Sequence, residues 1–257
     1  MAVMRRILLA GSQSRWLREQ ATRRRFVRRT VSRFMPGEEA EDALAAARGL
    51  QQVGITTVFT KLGENITDSA EAERVADHYL DVLHRIRLLG LPSEVSVKLT
   101  QLGLDLSPKL CYESLERIIH CAGPDSVVWI DMEASNYVAL TLELYRRACR
   151  AHPNVGVCLQ AYLYRTASDL ASLLPLGPAI RLVKGAYLEP PSIAFARKKD
   201  VDENFFALAK QLFSEEARRA GVRVAIATHD RKLIRRVQQF TTLQGISRDA
   251  FDFQMLY

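Results

Sequence analysis

Short apolar segments alternate along the chain with longer segments in which apolar residues recur at helical spacing. Each short segment is a nearly continuous apolar run that ends in polar residues, which is typical of a parallel strand covered on both faces. The seven segments are Thr56–Thr60, Val95–Leu99, Val127–Met132, Val155–Leu159, Ile180–Val183, Val222–Ala227 and Phe251–Leu256. Strands that alternate with helices in this way predict a parallel sheet joined by right-handed crossovers.

The segments between the predicted strands carry the start and stop signals of helices. Ser107 followed by Pro108 predicts an N-cap with proline at the first helical position. Thr166 and Asp169 have the spacing of a capping box. The glycines expected just past helix ends are Gly90 and Gly221.

Two arrangements of a parallel sheet fit this alternation, an open nucleotide-binding sheet and a closed barrel. The open sheet carries a G-x-G-x-x-G turn after a strand, and none of the seven segments is followed by one. We therefore predict an α/β fold of the (βα)8 TIM-barrel type in residues 51–257, preceded by Arg-rich helices in residues 1–50. Because the seventh segment lies directly before Tyr257, the last βα unit of the predicted barrel is missing.

Composition indicates a soluble globular protein with an uneven charge. Hydrophobic residues make up 48% of the chain and charged residues 25%. No apolar run approaches the roughly 18 residues of a membrane-spanning helix, and Ile7–Ala10 is shorter than a signal-peptide core of about 7–15 residues. The net charge is +7, and residues 1–35 hold ten arginines and a single acidic residue, Glu19.

The Arg-rich segment has several interpretations. Weak peripheral contact with an anionic membrane is the one we favour, and the alternatives are a solvated helix face and a transit peptide. Binding to nucleic acid is not predicted, because few aromatic residues are interleaved with the arginines. The four cysteines form no CxxC pair, so they predict reduced thiols without a metal.

Charged residues stand where the predicted strands end, and in barrels of this type that edge holds the active site. Alternation along the strands places Ser96 and Lys98 on one face and Asp131 on the corresponding face of the next strand. Lys98 and Asp131 either belong to an active site or form a structural ion pair. Gly185 and Ala186 leave room for backbone N–H groups to approach a phosphate or a flavin ring, although a glycine after a strand is more often a simple turn.

Six motifs in order resemble those of the proline dehydrogenase family, of the FAD-dependent, monofunctional bacterial type. They are Lys98–Gly103, Asp131–Glu133, Gln160–Tyr162, Arg181–Tyr187, Ala227–Asp230 and Phe253–Gln254. The resemblance implies oxidation of L-proline to Δ1-pyrroline-5-carboxylate in proline catabolism, with FAD accepting the hydride and a quinone accepting the electrons. It also implies a cytoplasmic bacterial enzyme, peripheral at the inner membrane, with the mitochondrial matrix as the alternative.

The resemblance further implies a role for each matching residue. Lys98 would bind the substrate carboxylate, and Asp131 would be an electrostatic and proton-handling catalytic residue. Arg181 would act at the flavin and pair with Glu64 to gate the site. The residues that would pack around the proline ring are Tyr187 and Leu256. The residues that would hold FAD are Met132, Gln160, Val183, Lys184, Gly185, Ala186, Thr228 and His229.

Two other outcomes stay open at this point. The family closes its site with a final helix that carries an Arg-Arg pair for the carboxylate, so a chain ending at Tyr257 is expected to be an impaired enzyme or an inactive flavoprotein fragment. The rival interpretation is a metal-dependent barrel hydrolase that uses Asp131, Glu133 and His229. It is disfavoured, and no metal is predicted, because the other histidines fall in helical or loop segments: His78, His84, His120 and His152.

Overall fold

The computed structural model of the chain describes residues 36–37, 39–63 and 66–256. Seven strands lie in these residues: β1 Thr57–Thr60, β2 Ser93–Val97, β3 Val128–Ile130, β4 Val155–Gln160, β5 Ala179–Val183, β6 Arg223–Ala227 and β7 Phe251–Gln254. They form one parallel sheet in the order β1 to β7. Each predicted apolar segment overlaps one strand, so the predicted number and direction of the strands are confirmed.

In the described residues one helix precedes β1, and the others connect the strands. They are α1 Ala40–Gln51, α2 Ser69–Leu88, α3 Pro108–Ala122, α4 Val138–Ala151, α5 Thr166–Leu173, α6 Lys198–Leu212, α7 Glu215–Arg219 and α8 Arg231–Leu243. Short 3-10 helices span Thr100–Leu102, Ser135–Tyr137, Leu174–Leu176 and Arg248–Ala250. At least one α-helix separates each pair of consecutive strands, as a parallel connection requires.

The predicted helix ends are confirmed in part. Ser107 caps α3, with proline in the first turn. The capping box predicted at Thr166 and Asp169 is wrong, because Thr166 Oγ1 donates to the carbonyl of Gln160 at 2.6 Å and Asp169 pairs with Arg165. The end of β4 thus offers a nearer acceptor than the helix itself. Glycines of positive φ follow α2 and α7 as predicted, at Gly90 and Gly221.

Side-chain contacts between distant strands show that the sheet is curled. Arg181 of β5 donates to Ser96 of β2 at 2.8 Å, and Arg223 of β6 pairs with Glu94 of β2. In a flat sheet β2 and β5 would stand about 14 Å apart. Among the described strands, β1 pairs with β2 alone and β7 with β6 alone. A curled sheet of seven parallel strands is therefore observed, and its closure into an eight-stranded barrel stays a prediction.

The chain divides into two compact units. Helix α1 and Leu256 belong to one unit, and Gly54–Met255 form the other, which contains the whole sheet. Residues 1–35, which carry ten arginines of the predicted N-terminal helices, lie outside the described residues, and so does Glu64. The gating role of Glu64 and the division at residue 50 therefore stay predictions. Among the described helices, none combines the length and the apolarity needed to cross a membrane.

Candidate active site

Three charged side chains meet on the inner face of the curled sheet, near the carboxyl ends of the strands. Lys98 follows β2, Asp131 follows β3 and Arg181 lies in β5. Arg181 Nη1 is 2.9 Å from Asp131 Oδ1, and Lys98 Nζ is 3.8 Å from Asp131 Oδ2. The structure thus brings together three of the five residues to which the family resemblance assigned substrate or catalytic roles. The Arg181–Asp131 contact was not predicted.

Arg181 is held in place by several neighbours. Its Nε donates to Gln254 Oε1 at 2.7 Å, and its guanidinium carbon lies 4.6 Å from the centre of the Trp129 ring. Its Nη1 also donates to Ser96 Oγ at 2.8 Å, and Ser96 Oγ donates to Asp131 Oδ1 at 2.7 Å. Four side chains from β2, β3 and β7 or their ends therefore fix the guanidinium of Arg181, a residue that is 8% exposed.

Trp129 fills the inner space on the amino-terminal side of these charges. Its Nε1 donates to Glu94 at 2.6 Å, and Glu94 also pairs with Arg223. Gly156 is the register partner of Trp129 on β4, and a Cβ at that glycine would lie 2.6 Å from the indole ring. The glycine therefore leaves the space that the indole occupies, and the indole in turn supports Arg181.

Two buried polar atoms on this face have no hydrogen-bond partner among the described residues. They are Arg181 Nη2, a donor, and Gln160 Oε1, an acceptor. The amide nitrogen of Gln160 donates to the Met132 carbonyl at 3.1 Å, which fixes the orientation of the amide. Each unsatisfied buried group costs about 1–3 kcal/mol. A ligand that presents an acceptor to Arg181 Nη2 and a donor to Gln160 Oε1 would satisfy both atoms.

The segment after β5 begins with Lys184 and Gly185. Gly185 has a φ of 110°, and a Cβ there would lie 2.2 Å from the Tyr162 ring. The carbonyl of Lys184 accepts from the Tyr162 amide at 2.9 Å. Packing against Tyr162 is thus sufficient to require the glycine, and its approach to a cofactor stays a prediction.

The Lys184 ammonium lies between two carboxylates. Its Nζ is 2.6 Å from Asp202 and 2.7 Å from Asp230, and Lys198 pairs with the same two carboxylates. Hydrogen bonds from Lys184 and then Lys198 hold the pKa of the Asp230 carboxyl well below its ordinary value. Asp230 also caps α8. Asp202 and Lys198 were missed, although their i, i+4 spacing on one helix was a usable signal.

Glu133 has a structural partner. The carboxylate is 4% exposed and accepts from the backbone N–H of Thr100, at 3.1 Å, and from the hydroxyl of the same residue. Within the described residues, no group of three or more His, Cys, Asp and Glu side chains is arranged to hold a metal ion. Among the described residues, Asp131, Glu133 and His229 therefore do not form the metal site that a metal-dependent hydrolase would need.

The other predicted residues that belong to the same compact unit and are described lie around the same edge of the sheet. Met132 follows β3 and is buried, and Thr228, also buried, follows β6 and accepts from the Asp230 amide at 3.1 Å. His229 is exposed beside it. Val183, Ala186 and Tyr187 lie at or just after the end of β5. Leu256 falls in the other compact unit, so its role at the substrate stays a prediction.

A buried thiol, that of Cys158, lies on the inner face beside these charges. Cys158 is the register partner of Arg181 on the neighbouring strand. Burial, together with the charge of Asp131, raises the pKa of the Cys158 thiol to about 12. A thiol of this kind stays protonated near neutral pH and is unreactive. The chemistry of this face thus rests on Lys98, Asp131 and Arg181.

Comparison with known proteins decides the family. The proline dehydrogenase family model matches residues 43–257. The chain belongs to the proline dehydrogenase family. Proline dehydrogenase 1 of Bacillus subtilis subsp. natto is 36% identical over 257 residues, which cover 99% of this chain and 83% of that protein. The proline dehydrogenase of Deinococcus radiodurans is 37% identical over 233 residues, which cover 88% and 74% of the two chains.

A solved structure supports the fold. Proline utilization A (PutA) from Bdellovibrio bacteriovorus matches 90% of this chain with a TM-score of 0.80 and 24% sequence identity. This chain spans 29% of the length of that protein. The resemblance inferred from the six sequence motifs is confirmed, and the chain is an oxidoreductase of the proline dehydrogenase family. This family is generally flavin-dependent.

Proposed function

We propose that the chain binds FAD and oxidises L-proline to Δ1-pyrroline-5-carboxylate. The observation that carries the proposal is two buried atoms, Arg181 Nη2 and Gln160 Oε1, that find no hydrogen-bond partner in the described part of the chain. They lie on the same face of the sheet as the charges of Lys98 and Asp131. One edge of a flavin ring offers both carbonyl acceptors and an N–H donor, so it fits both atoms. The substrate carboxylate fits the ammonium of Lys98.

The cofactor would be held by residues from three consecutive strands and from β6. These residues are Met132, Gln160, Arg181, Val183, Lys184, Gly185, Ala186, Thr228 and His229. When bound, the flavin supplies the two-electron acceptor for the hydride that leaves the carbon next to the proline nitrogen.

The protein's own residues would bind the substrate and handle the proton. Lys98 would anchor the carboxylate, with its ammonium facing Asp131 Oδ2 at 3.8 Å. Loss of hydride from the carbon is favoured when the nitrogen carries a free lone pair, and the nitrogen must release a proton to form the imine. Asp131 Oδ2 would accept that proton, because Oδ1 is engaged by Arg181 and Ser96. Tyr187 would pack on the ring and exclude water.

The visible absorption spectrum of the purified chain tests the proposal, recorded with added FAD before and after anaerobic L-proline. A bound flavin that bleaches with L-proline and not with D-proline supports it. A bound flavin that stays oxidised after L-proline is added contradicts proline oxidation by this chain. A folded protein that retains no added FAD contradicts the cofactor assignment.

We propose further that the curled sheet belongs to a (βα)8 barrel and that the electrons pass to a membrane quinone.

The cell location that we propose is the bacterial cytoplasm, with weak peripheral contact made by the arginines of residues 1–35. Their positive charge and the family resemblance support this contact. Changing the arginines of residues 23–29 to alanine should abolish binding to anionic vesicles at low salt, and unchanged binding would exclude the contact.

A further inference from the structure

The ion pair between Arg181 and Asp131 uses one nitrogen and one oxygen. Arginine and carboxylate side chains frequently pair through two parallel hydrogen bonds instead. Here Nη1 is 2.9 Å from Oδ1, whereas the buried Nη2 has no partner within the described part of the chain. A bidentate pair would satisfy that nitrogen, so the neighbours of the two groups must favour the single contact.

Ser96 and Gln254 account for the single contact. Gln254 Oε1 accepts from Arg181 Nε at 2.7 Å, which prevents a side-on pair through Nε. Ser96 Oγ accepts from Nη1 at 2.8 Å and donates to Asp131 Oδ1 at 2.7 Å. One hydroxyl therefore contacts both atoms and keeps Nη1 next to Oδ1. In this position the second carboxylate oxygen faces Lys98 and does not face Nη2.

We propose that Ser96 is a positioning residue that keeps Arg181 Nη2 available for the cofactor and Asp131 Oδ2 available for Lys98. This inference rests on the proposed flavin-dependent function. Without the Ser96 hydroxyl, the carboxylate is free to turn Oδ2 toward Nη2 and form the bidentate pair. That rotation of the carboxylate would engage the Nη2 donor, so Nη2 could no longer bind the flavin. It would also move Oδ2 away from Lys98.

The position of Ser96 allows its hydroxyl to be removed without loss of its backbone contact. Its side chain is buried, and its backbone carbonyl accepts from the Tyr79 hydroxyl at 2.8 Å. Ser96→Ala removes the hydroxyl and keeps this backbone contact. Ser93→Ala is the matched control, because Ser93 is a buried serine of the same strand whose Oγ lies 2.7 Å from Thr57 Oγ1.

The experiment combines crystal structures of both variants with the affinity for FAD and the midpoint potential of the bound flavin. We expect Ser96→Ala to show Arg181 Nη2 within hydrogen-bonding distance of Asp131. We also expect FAD to bind about ten-fold more weakly, as loss of a hydrogen bond from a charged donor predicts. The flavin potential should become more negative, because less positive charge would stabilise the reduced ring. Ser93→Ala should change none of these quantities.

Two results would overturn the proposal. If Arg181 and Asp131 keep their single contact in Ser96→Ala, the hydroxyl does not position them, whatever the flavin does. If the bidentate pair forms and both the FAD affinity and the potential match the wild type, Nη2 has no role toward the cofactor. Failure of the proposed function would look different, because the wild-type chain itself would then retain no FAD while the crystal structures still decide the role of Ser96.

Discussion

Glu189 binds the amino end of the 3-10 helix Ser135–Tyr137 with both of its carboxylate oxygens. The backbone N–H of Ser135 donates to Oε1 at 2.7 Å, and the hydroxyl of Ser135 donates to Oε2 at 2.6 Å. This two-point contact ties the segment after β5, which carries Tyr187, to the segment after β3, which carries Met132. Two parts of the proposed site are thereby held at a fixed separation.

Glu189→Ala should allow the segments after β3 and β5 to move relative to each other. We expect the free energy of unfolding to fall by about 1–3 kcal/mol, since two hydrogen bonds to a charged acceptor are lost. We also expect KM for L-proline to rise, because Tyr187 is no longer held against the substrate. Urea unfolding and steady-state kinetics measure the two effects. Glu143→Ala, at an exposed position of α4, is the control, and equal kinetics in the two variants would show that the contact is not needed for substrate binding.

Lys98→Met should weaken substrate binding selectively. The Lys98 side chain is 16% exposed and its ammonium lies 3.8 Å from Asp131, so its removal leaves a carboxylate that repels the substrate carboxylate. We expect KM for L-proline to rise by about 10–100-fold, the value of a hydrogen bond to a charged group. Pyrrolidine has no carboxylate, and its oxidation should show no such loss. An equal loss with pyrrolidine would place Lys98 elsewhere in the reaction.

Gly156→Ala should disturb the site from the amino-terminal side. The new Cβ would lie 2.6 Å from Trp129, which packs beneath Arg181 at 4.6 Å. Overpacking of this kind destabilises by about 1–3 kcal/mol, and displacement of the indole should also weaken FAD binding. In Gly49→Ala the new Cβ has no neighbour within 4 Å, so that helical variant should be neutral or more stable. Equal unfolding curves for both variants would contradict the steric argument.

Asp230→Asn should lower stability in a pH-dependent way. Hydrogen bonds from Lys184 and Lys198 hold the pKa of the Asp230 carboxyl below its ordinary value, so its contribution is full above the unfolded-state pKa of about 3.9 and is lost as the pH falls through the folded-state pKa. Asparagine is also a good N-cap, so the variant reports the charge alone. We expect a deficit of about 1–2 kcal/mol at pH 7.

That deficit should shrink as the pH falls below about 4, because the wild-type carboxyl then loses its advantage. Urea unfolding at pH 7 and at pH 3 measures the change. Asp125→Asn, at an exposed position, controls for the loss of one carboxylate. A deficit of equal size at both pH values would exclude the ion cluster as its cause.

Local sequence patterns were sufficient to predict the features that depend on residues a few positions apart. Apolar runs and their polar ends predicted the seven strands, because a strand buried on both faces needs consecutive apolar residues. Alternation along β2 placed Ser96 and Lys98 on one face, and the same period placed Asp131 beside them. Ser107 was correctly predicted as an N-cap because capping depends on neighbours within three residues.

The capping box at Thr166 shows where local patterns fail. The spacing to Asp169 is correct, but the hydroxyl of Thr166 donates to the end of β4 and the carboxylate pairs with Arg165. A local motif competes with every other acceptor that folding brings near, and the sequence does not reveal those acceptors. Lys184 is a similar case, since the sequence suggested its backbone as a cofactor contact and did not predict the ion pairs of its side chain with Asp202 and Asp230.

The sequence by itself determined the strand count, the faces of the strands, the six motifs and hence the family. Only the tertiary structure decided that Arg181 of β5 contacts Ser96, 85 residues earlier, and that one nitrogen of its guanidinium is left without a partner among the described residues. The physical reason is that alternation and capping depend on residues a few positions apart. Which side chains meet across the sheet depends instead on its curl, which is set by the packing of the whole fold.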